Sequence, residues 1–196
     1  DDCWHPDKLA RQQAALHASP NAVLCHSDEI WVRNGRRVNP MRKHAKQGGR
    51  IFRHCLPLCP ISPSASLIRR DIFDSIGLFD ETLPACEDYD LWLRICAVHP
   101  VLYVDAPLIT KYGGHDDQLS RRYWGMDRFR IQALENILAA GQLNPCDQAA
   151  ARAMLLKKAT IVARGAEKHG NTALAHRCRE ILRCHGQPPP AAVAPA

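Results

Sequence analysis

The hydrophobic pattern of this chain changes period once, and that change constrains the fold more than any single motif. Up to about residue 110, short runs rich in β-branched and aromatic residues alternate with stretches of helical spacing. Beyond about residue 121, every apolar stripe repeats at helical spacing. Strands alternating with helices imply an α/β layer, and helices alone after it imply an all-α appendage. The expected organisation is therefore an α/β part over 1–120, a helical part over 121–185 and a Pro/Ala tail over 186–196 that lacks the apolar content to fold.

In the first part, Pro6 fits the opening turn of a helix after His5, with Leu9 and Leu16 as its apolar face. Ala22 to Val32 reads as a strand, Asn34-Gly35 as a hairpin turn and Arg36 to Asn39 as the return strand. Residues 40–50 are polar and read as a loop, followed by a short helix over Arg50–Leu56. Pro57, Pro60 and Pro63 break the segment after that helix, and Ser64 to Arg69 is a short strand. Asp71–Ile76 is a short helix stopped by Gly77. Glu87 to Val98 carries the clearest helical signal, with acidic residues in the first turn and Pro100 after its end. Val101–Val104 reads as a strand, and a loop is expected to start at Tyr112-Gly113-Gly114.

The second part holds three stripes: Met126, Phe129, Leu134, Ile137 and Leu138; then Met154, Leu155, Ile161 and Val162; then Leu174, Cys178, Ile181 and Leu182. Asn144-Pro145 reads as a linker with Asp147 as the cap of the next helix, and His169-Gly170-Asn171 as the turn of a helical hairpin.

The formal net charge of +6 suits an anionic partner without choosing between a small molecule, a membrane surface and nucleic acid. Nine scattered cysteines contain no Cys-x-x-Cys pair, which argues against a secreted disulfide framework and for a reducing compartment. Cys55 with Cys59, and Cys178 with Cys184 and His185, have poor zinc spacing and read as ordinary thiols.

Three acidic or imidazole clusters stand where a strand or loop gives way to another element: Asp1-Asp2, Glu87-Asp88 with Asp90, and His115-Asp116-Asp117. α/β folds bind ligands at such strand ends. Taken singly, the first two clusters also fit plain helix-start charge, and the histidine a solvated loop.

Their order and neighbours add a resemblance. Asp1-Asp2-Cys3-Trp4-His5-Pro6-Asp7-Lys8-Leu9 resembles the segment at the Asp-x-Asp motif of family 2 glycosyltransferases of the GT-A fold. Gly77-Leu78-Phe79-Asp80-Glu81, followed by Glu87-Asp88-Tyr89-Asp90-Leu91-Trp92-Leu93-Arg94, is similar to that family's acceptor-side motif. Gly113-Gly114-His115-Asp116-Asp117-Gln118-Leu119-Ser120 resembles its C-terminal loop. The resemblance implies an incomplete GT-A sheet with flanking helices and an inverting, metal-dependent sugar transfer from a nucleotide-diphospho-sugar. It casts Asp88 as the catalytic base, Asp1 and His115 as ligands of Mg²⁺ or Mn²⁺, and Asp2 and Glu87 as their neighbours at the bound donor. It also implies that the chain begins inside its metal motif, so that the activity belongs to a longer parent protein in the cytoplasm.

The acceptor would be a saccharide or a lipid-linked one. The basic stretch Arg33, Arg36, Arg37, Arg42, Lys43, Lys46, Arg50 and Arg53 reads as a solvated face or as a peripheral contact with the inner face of a membrane. Nucleic acid is not expected, because no aromatic residues interleave with these charges. The competing readings are a non-catalytic remnant and a basic binding module.

Overall fold

The computed structural model describes residues 2–114 and 122–186. Its sheet has five strands: β1 (Cys3–Trp4), β2 (Leu24–Arg33), β3 (Arg36–Val38), β4 (Ser66–Ile68) and β5 (Leu102–Gly113). The path is β1-β5-β2-β3, with β4 also paired to β2. β2 and β5 run parallel through the middle, whereas β1, β3 and β4 are antiparallel to their neighbours. β4 takes the first residues of β2 and β3 the last, both on the edge away from β5.

The Asn34-Gly35 turn forms as its sequence dictates, with both residues at positive φ between β2 and β3. β5 is much longer than the Val101–Val104 run suggests. Pro107 would normally end a central strand. Here it falls at the register shift opposite Asp28, and pairing resumes beyond it up to Gly113. The loop through Gly48-Gly49 closes against the start of this strand through Gly49 and Val101. Gly48 lies so close to the Val101–Tyr103 backbone that a Cβ would stand 3.1 Å from it.

Helices α1 (Lys8–Ala18), α2 (Phe52–Cys55), α3 (Ile72–Ile76) and α4 (Glu87–Val98) alternate with the strands along the chain, with α1 packed on β2 and β5, and α5 (Asp127–Ala139), α6 (Pro145–Lys168) and α7 (Thr172–His185) follow the last strand. The buried face of α1 is not the Leu9 face. Lys8, Gln12 and Leu16 point inward while Leu9 is exposed. Gln12 donates to the Cys25 and Ala65 carbonyls and Lys8 to that of Ser66, so polar groups tie α1 to β2 and β4. α6 begins at Pro145 with Asn144 as its cap: the Asn144 side chain accepts the Asp147 N–H at 2.9 Å. One apolar cluster runs from Leu24 through Leu91, Trp92 and Ile95 of α4 to Ile131, Ala159 and Ile181 of the last three helices. No helix among the described residues is long and apolar enough to cross a membrane.

Candidate active site

α4 is the element that presents the acidic block. Leu91, Trp92 and Ile95 are buried, and the same face carries half-buried Asp88 in the first turn. Tyr89 is buried and its hydroxyl donates to the Leu56 carbonyl at 2.7 Å, which fixes the helix start against the end of α2. Cys86, the cap residue, sits in the left-handed region at φ 65°. Asp88 accepts the Tyr89 N–H on one oxygen at 2.7 Å and the Cys59 thiol on the other at 3.3 Å. Burial and the adjacent Asp88 carboxylate push the Cys59 thiol well above its ordinary value, so it stays a neutral donor. Glu87, one residue earlier, is half-buried at the helix start.

Asp90 plays a different part. It is buried and pairs with Arg94 at 2.9 Å, one helical turn on. Arg94 in turn donates to the Ile76 and Leu78 carbonyls, so this pair clamps the end of α3 onto α4.

Cys59 begins a strap that reaches the other acidic cluster. The Ile61 carbonyl accepts the Trp92 indole N–H, the Ser62 hydroxyl accepts from Lys111 of β5, and the Ser64 hydroxyl donates to Asp2 at 2.5 Å. Five residue steps reach at most ~17 Å, which bounds the strap length between the thiol-bearing end at Asp88 and the end at Asp2. The second Asp2 oxygen accepts the Tyr112 N–H at 3.3 Å. Asp2 thus lies against the end of β5, where the Gly113-Gly114 segment leads toward His115 in sequence.

Under the strap lies a buried charge network. Glu29 of β2 pairs with Lys46 at 3.1 Å, both side chains no more than 5% exposed, and accepts the Trp31 indole N–H at 2.7 Å. Burial works to raise the Glu29 carboxyl, but the Lys46 and Lys111 ammonium groups outweigh it and hold the acid below its usual range. Lys46 also donates to the Pro60 carbonyl of the strap.

The structure therefore links Asp2 and Asp88 through one strap and leaves Asp1 and His115 outside the described residues. Among the described residues, no three His, Cys, Asp or Glu side chains gather at a common point. Cys55 and Cys59 do not act as a pair, since Cys55 faces Cys96 and Cys59 faces Asp88. Of the basic stretch, Lys46 is internal, Arg53 pairs with Asp147 at 2.6 Å and Arg50 bonds the Val98 carbonyl. Arg33, Arg36, Arg37 and Arg42 remain as the exposed group. Sequence reasoning missed Cys59, Ser62, Ser64 and Glu29. Only the Pro57, Pro60 and Pro63 spacing signalled an extended connector there.

Comparison with known proteins bears on this arrangement. A family model described as "Glycosyltransferase like family 2" matches residues 1–137. An uncharacterized glycosyltransferase of Rickettsia typhi is 32% identical over 123 residues, 60% of this chain and 38% of its own length. One from Rickettsia bellii is 29% identical over 127 residues, 62% of this chain and 18% of its own length. The amylovoran biosynthesis glycosyltransferase AmsE of Erwinia amylovora is 28% identical over 155 residues, 72% of this chain and 53% of its own length. This chain thus spans about a fifth to two fifths of the rickettsial relatives. Among solved structures, S. aureus TarS 1–349 in complex with UDP-GlcNAc shares the fold, with a TM-score of 0.55 at 16% identity over 81% of this chain and 45% of that one.

Proposed function

The chain belongs to the glycosyltransferase-like family 2, and from that premise we propose that it is part of an inverting enzyme that moves a sugar from a nucleotide-diphospho-sugar to an acceptor hydroxyl. The observation that carries this reading is Asp88. Its carboxylate is half-buried at the head of α4, and its two oxygens are oriented by the Tyr89 N–H and the Cys59 thiol. It stays acceptor-rich, because a carboxylate has about four lone-pair sites and these two donors use two.

In the proposed reaction Asp88 takes the proton of the acceptor hydroxyl as that oxygen attacks the anomeric carbon. The bond to the diphosphate breaks on the opposite side, so the configuration inverts. A Mg²⁺ or Mn²⁺ ion held by Asp1 and His115 would neutralise the diphosphate oxygens as they leave. An acid and an imidazole are suitable donor types for such a cation. Asp2, held by Ser64 and Tyr112, would anchor the chain beside Asp1, and Glu87 would orient groups near the bound donor. The UDP-GlcNAc bound by TarS supports a nucleotide sugar as donor, and the amylovoran role of AmsE supports a place in polysaccharide assembly. The acceptor would be a saccharide or lipid-linked saccharide, met at the cytoplasmic face of a membrane through Arg33, Arg36, Arg37 and Arg42.

The test is Asp88→Asn in the full-length parent. Asn keeps the shape and can still accept the Tyr89 N–H, but it cannot take the proton. Transfer is expected to fall about 10²–10⁴-fold, while donor titration by calorimetry with Mn²⁺ stays close to wild type. Asp1→Asn should instead weaken donor binding as well. Turnover of Asp88→Asn near the wild-type rate would reduce Asp88 to a helix-start residue and make Glu87 the next base to test.

A further inference from the structure

A cavity of about 360 Å³ lies between the segment entering α5 and the facing sides of α6 and α7. That volume is within the range of small-molecule sites, which begin near ~300 Å³. Val162 and Leu174 give it an apolar floor. Its mouth is framed by two large side chains left in solvent, Trp124 at 54% and Ile161 at 55% exposure. Trp124 is held in place, edge-on to the His169 ring at a centroid distance of 5.8 Å.

One wall is cationic. Arg128 and Arg130 both line the cavity, and the Nε atom of each is buried without a hydrogen-bond partner. Buried donors of that kind are rare in folded proteins. Asp127, on the same wall, already holds two cations through one oxygen: Arg130 and Lys158, each at 2.9 Å. With Arg128 on the same wall, three cations stand against one carboxylate and leave the wall positive.

Gly165 supplies an independent observation. It lies in the last turn of the 24-residue α6, still inside the helix, and glycine is the poorest helix former after proline. A Cβ built there meets nothing within 4 Å, and the residue is not among the positive-φ glycines. Neither packing nor backbone conformation requires glycine at this point. Its missing side chain leaves this part of the cavity lining open.

The cationic wall also rests on the first turn of α4. The Cys86 thiol lies 3.8 Å from the Met126 carbonyl, and the Arg130 guanidinium stands 5.9 Å from the Tyr89 ring. These two residues flank Glu87 and Asp88.

We propose that this cavity binds a lipid phosphate, with the apolar chain between Trp124, Ile161 and the Val162–Leu174 floor and the phosphate on Arg128 and Arg130. The floor offers no polar side chain to a sugar or a nucleobase, whereas guanidinium forks match phosphate oxygens. Combined with the proposed transfer, the bound molecule would lie on the acceptor side of Asp88. Binding itself does not require that Asp88 be a base.

The experiment is calorimetric titration of geranyl monophosphate, kept below its aggregation threshold, into the wild-type chain and four variants. Saturable one-to-one binding is expected for wild type and for Asp88→Asn alike, so failure of the transferase reading would leave this result unchanged. Gly165→Leu fills the cavity and should weaken binding at least tenfold, with a thermal midpoint at or above wild type. Trp124→Ala, at the exposed rim, should weaken it as well and carries the test if Gly165→Leu does not fold. Arg128→Gln should weaken geranyl monophosphate at least tenfold and leave geraniol unaffected. Geraniol and inorganic phosphate should each bind at least tenfold more weakly than the intact probe. Absence of saturable binding, or equal affinity in Gly165→Leu and Trp124→Ala, would overturn the site. Equal affinity for geraniol would overturn the phosphate assignment, and equal affinity for inorganic phosphate would reduce the site to a surface charge.

Discussion

The strand-bearing part and the three C-terminal helices bury polar groups in opposite ways. Inside the first lie Lys8, Gln12, His26 and Glu29, each at most 7% exposed, with the Lys46 side chain paired to Glu29. The helices bury one cation, Lys158, and keep Arg177–Glu135 and Arg179–Glu167 near the surface. The contrast arises from the groups each part must hold. Strands and connectors around a site carry backbone groups and side chains that helices would satisfy internally, so polar partners have to be brought inside. Apart from the Asp127, Arg130 and Lys158 group, the helices meet through apolar stripes and leave their charges to water. Mutations in the two parts should therefore differ in size.

The largest effect is expected at Glu29. Glu29→Ala leaves the Lys46 ammonium buried without its partner and the Trp31 indole N–H without an acceptor. Breaking a buried pair on one side costs about 3–5 kcal/mol. Glu167→Ala, which removes the exposed Arg179 pair, should change stability by no more than about 0.5 kcal/mol. Urea midpoints of the two variants measure the contrast directly. Similar shifts for both would mean that the interior network is no more integral to the fold than a surface pair.

His26 gives the next effect, and it depends on pH. The ring is buried in β2 beside Tyr103, with Nε2 2.9 Å from the Gln47 carbonyl. Burial lowers its pKa from 6.5 to about 4, with the nearby Lys46 charge acting in the same direction. The folded form therefore binds fewer protons than the unfolded chain between these two values. Stability is full above pH 6.5 and is lost as pH falls toward 4, by about 3 kcal/mol over the window. Chemical denaturation at several pH values should show this slope, and His26→Gln should flatten it. An unchanged slope in the variant would assign the pH dependence to other groups.

How far the sequence could be read tracks the same division. α4 is legible residue for residue, because its period, its acidic first turn and Pro100 agree. The hairpin at Asn34-Gly35 is legible for the same reason. α1 is misread at its face, since the inward stripe is Lys8, Gln12 and Leu16, and a hydrophobic pattern cannot mark two polar members. The expected strand stops at Val104, whereas β5 runs on past Pro107 through an irregular stretch in which β5 itself carries the extra residues opposite Ser27, Asp28 and Glu29. At the site, Asp2 and Asp88 are visible as acids at element starts. Their partners are not, because Cys59 lies 29 residues from Asp88 and Ser64 62 from Asp2. Asp90 could have been assigned: Arg94 stands four residues later, the spacing of a helical ion pair.

The smallest expected effect asks whether the two parts are separate at all. Asn144 caps α6 through the Asp147 N–H, and its amide also donates to the Asp147 carboxylate at 2.6 Å. Asp147 holds Arg53 of α2, and Lys158 further along α6 donates to the Pro57 carbonyl, so this helix is tied to the strand-bearing part at two points. The apolar cluster also continues from Trp92 to Ala159 and Ile181. Removing the cap in Asn144→Ala should cost about 1 kcal/mol. If the ties make the chain one cooperative unit, that loss appears as a shift of a single transition. Hydrogen exchange would then show β2 and β5 amides losing protection by the same amount as those of α6. If exchange accelerates in α6 and α7 while β2 and β5 keep wild-type protection, the helices open on their own, and Arg53, Lys158 and the shared apolar cluster do not couple them to the sheet.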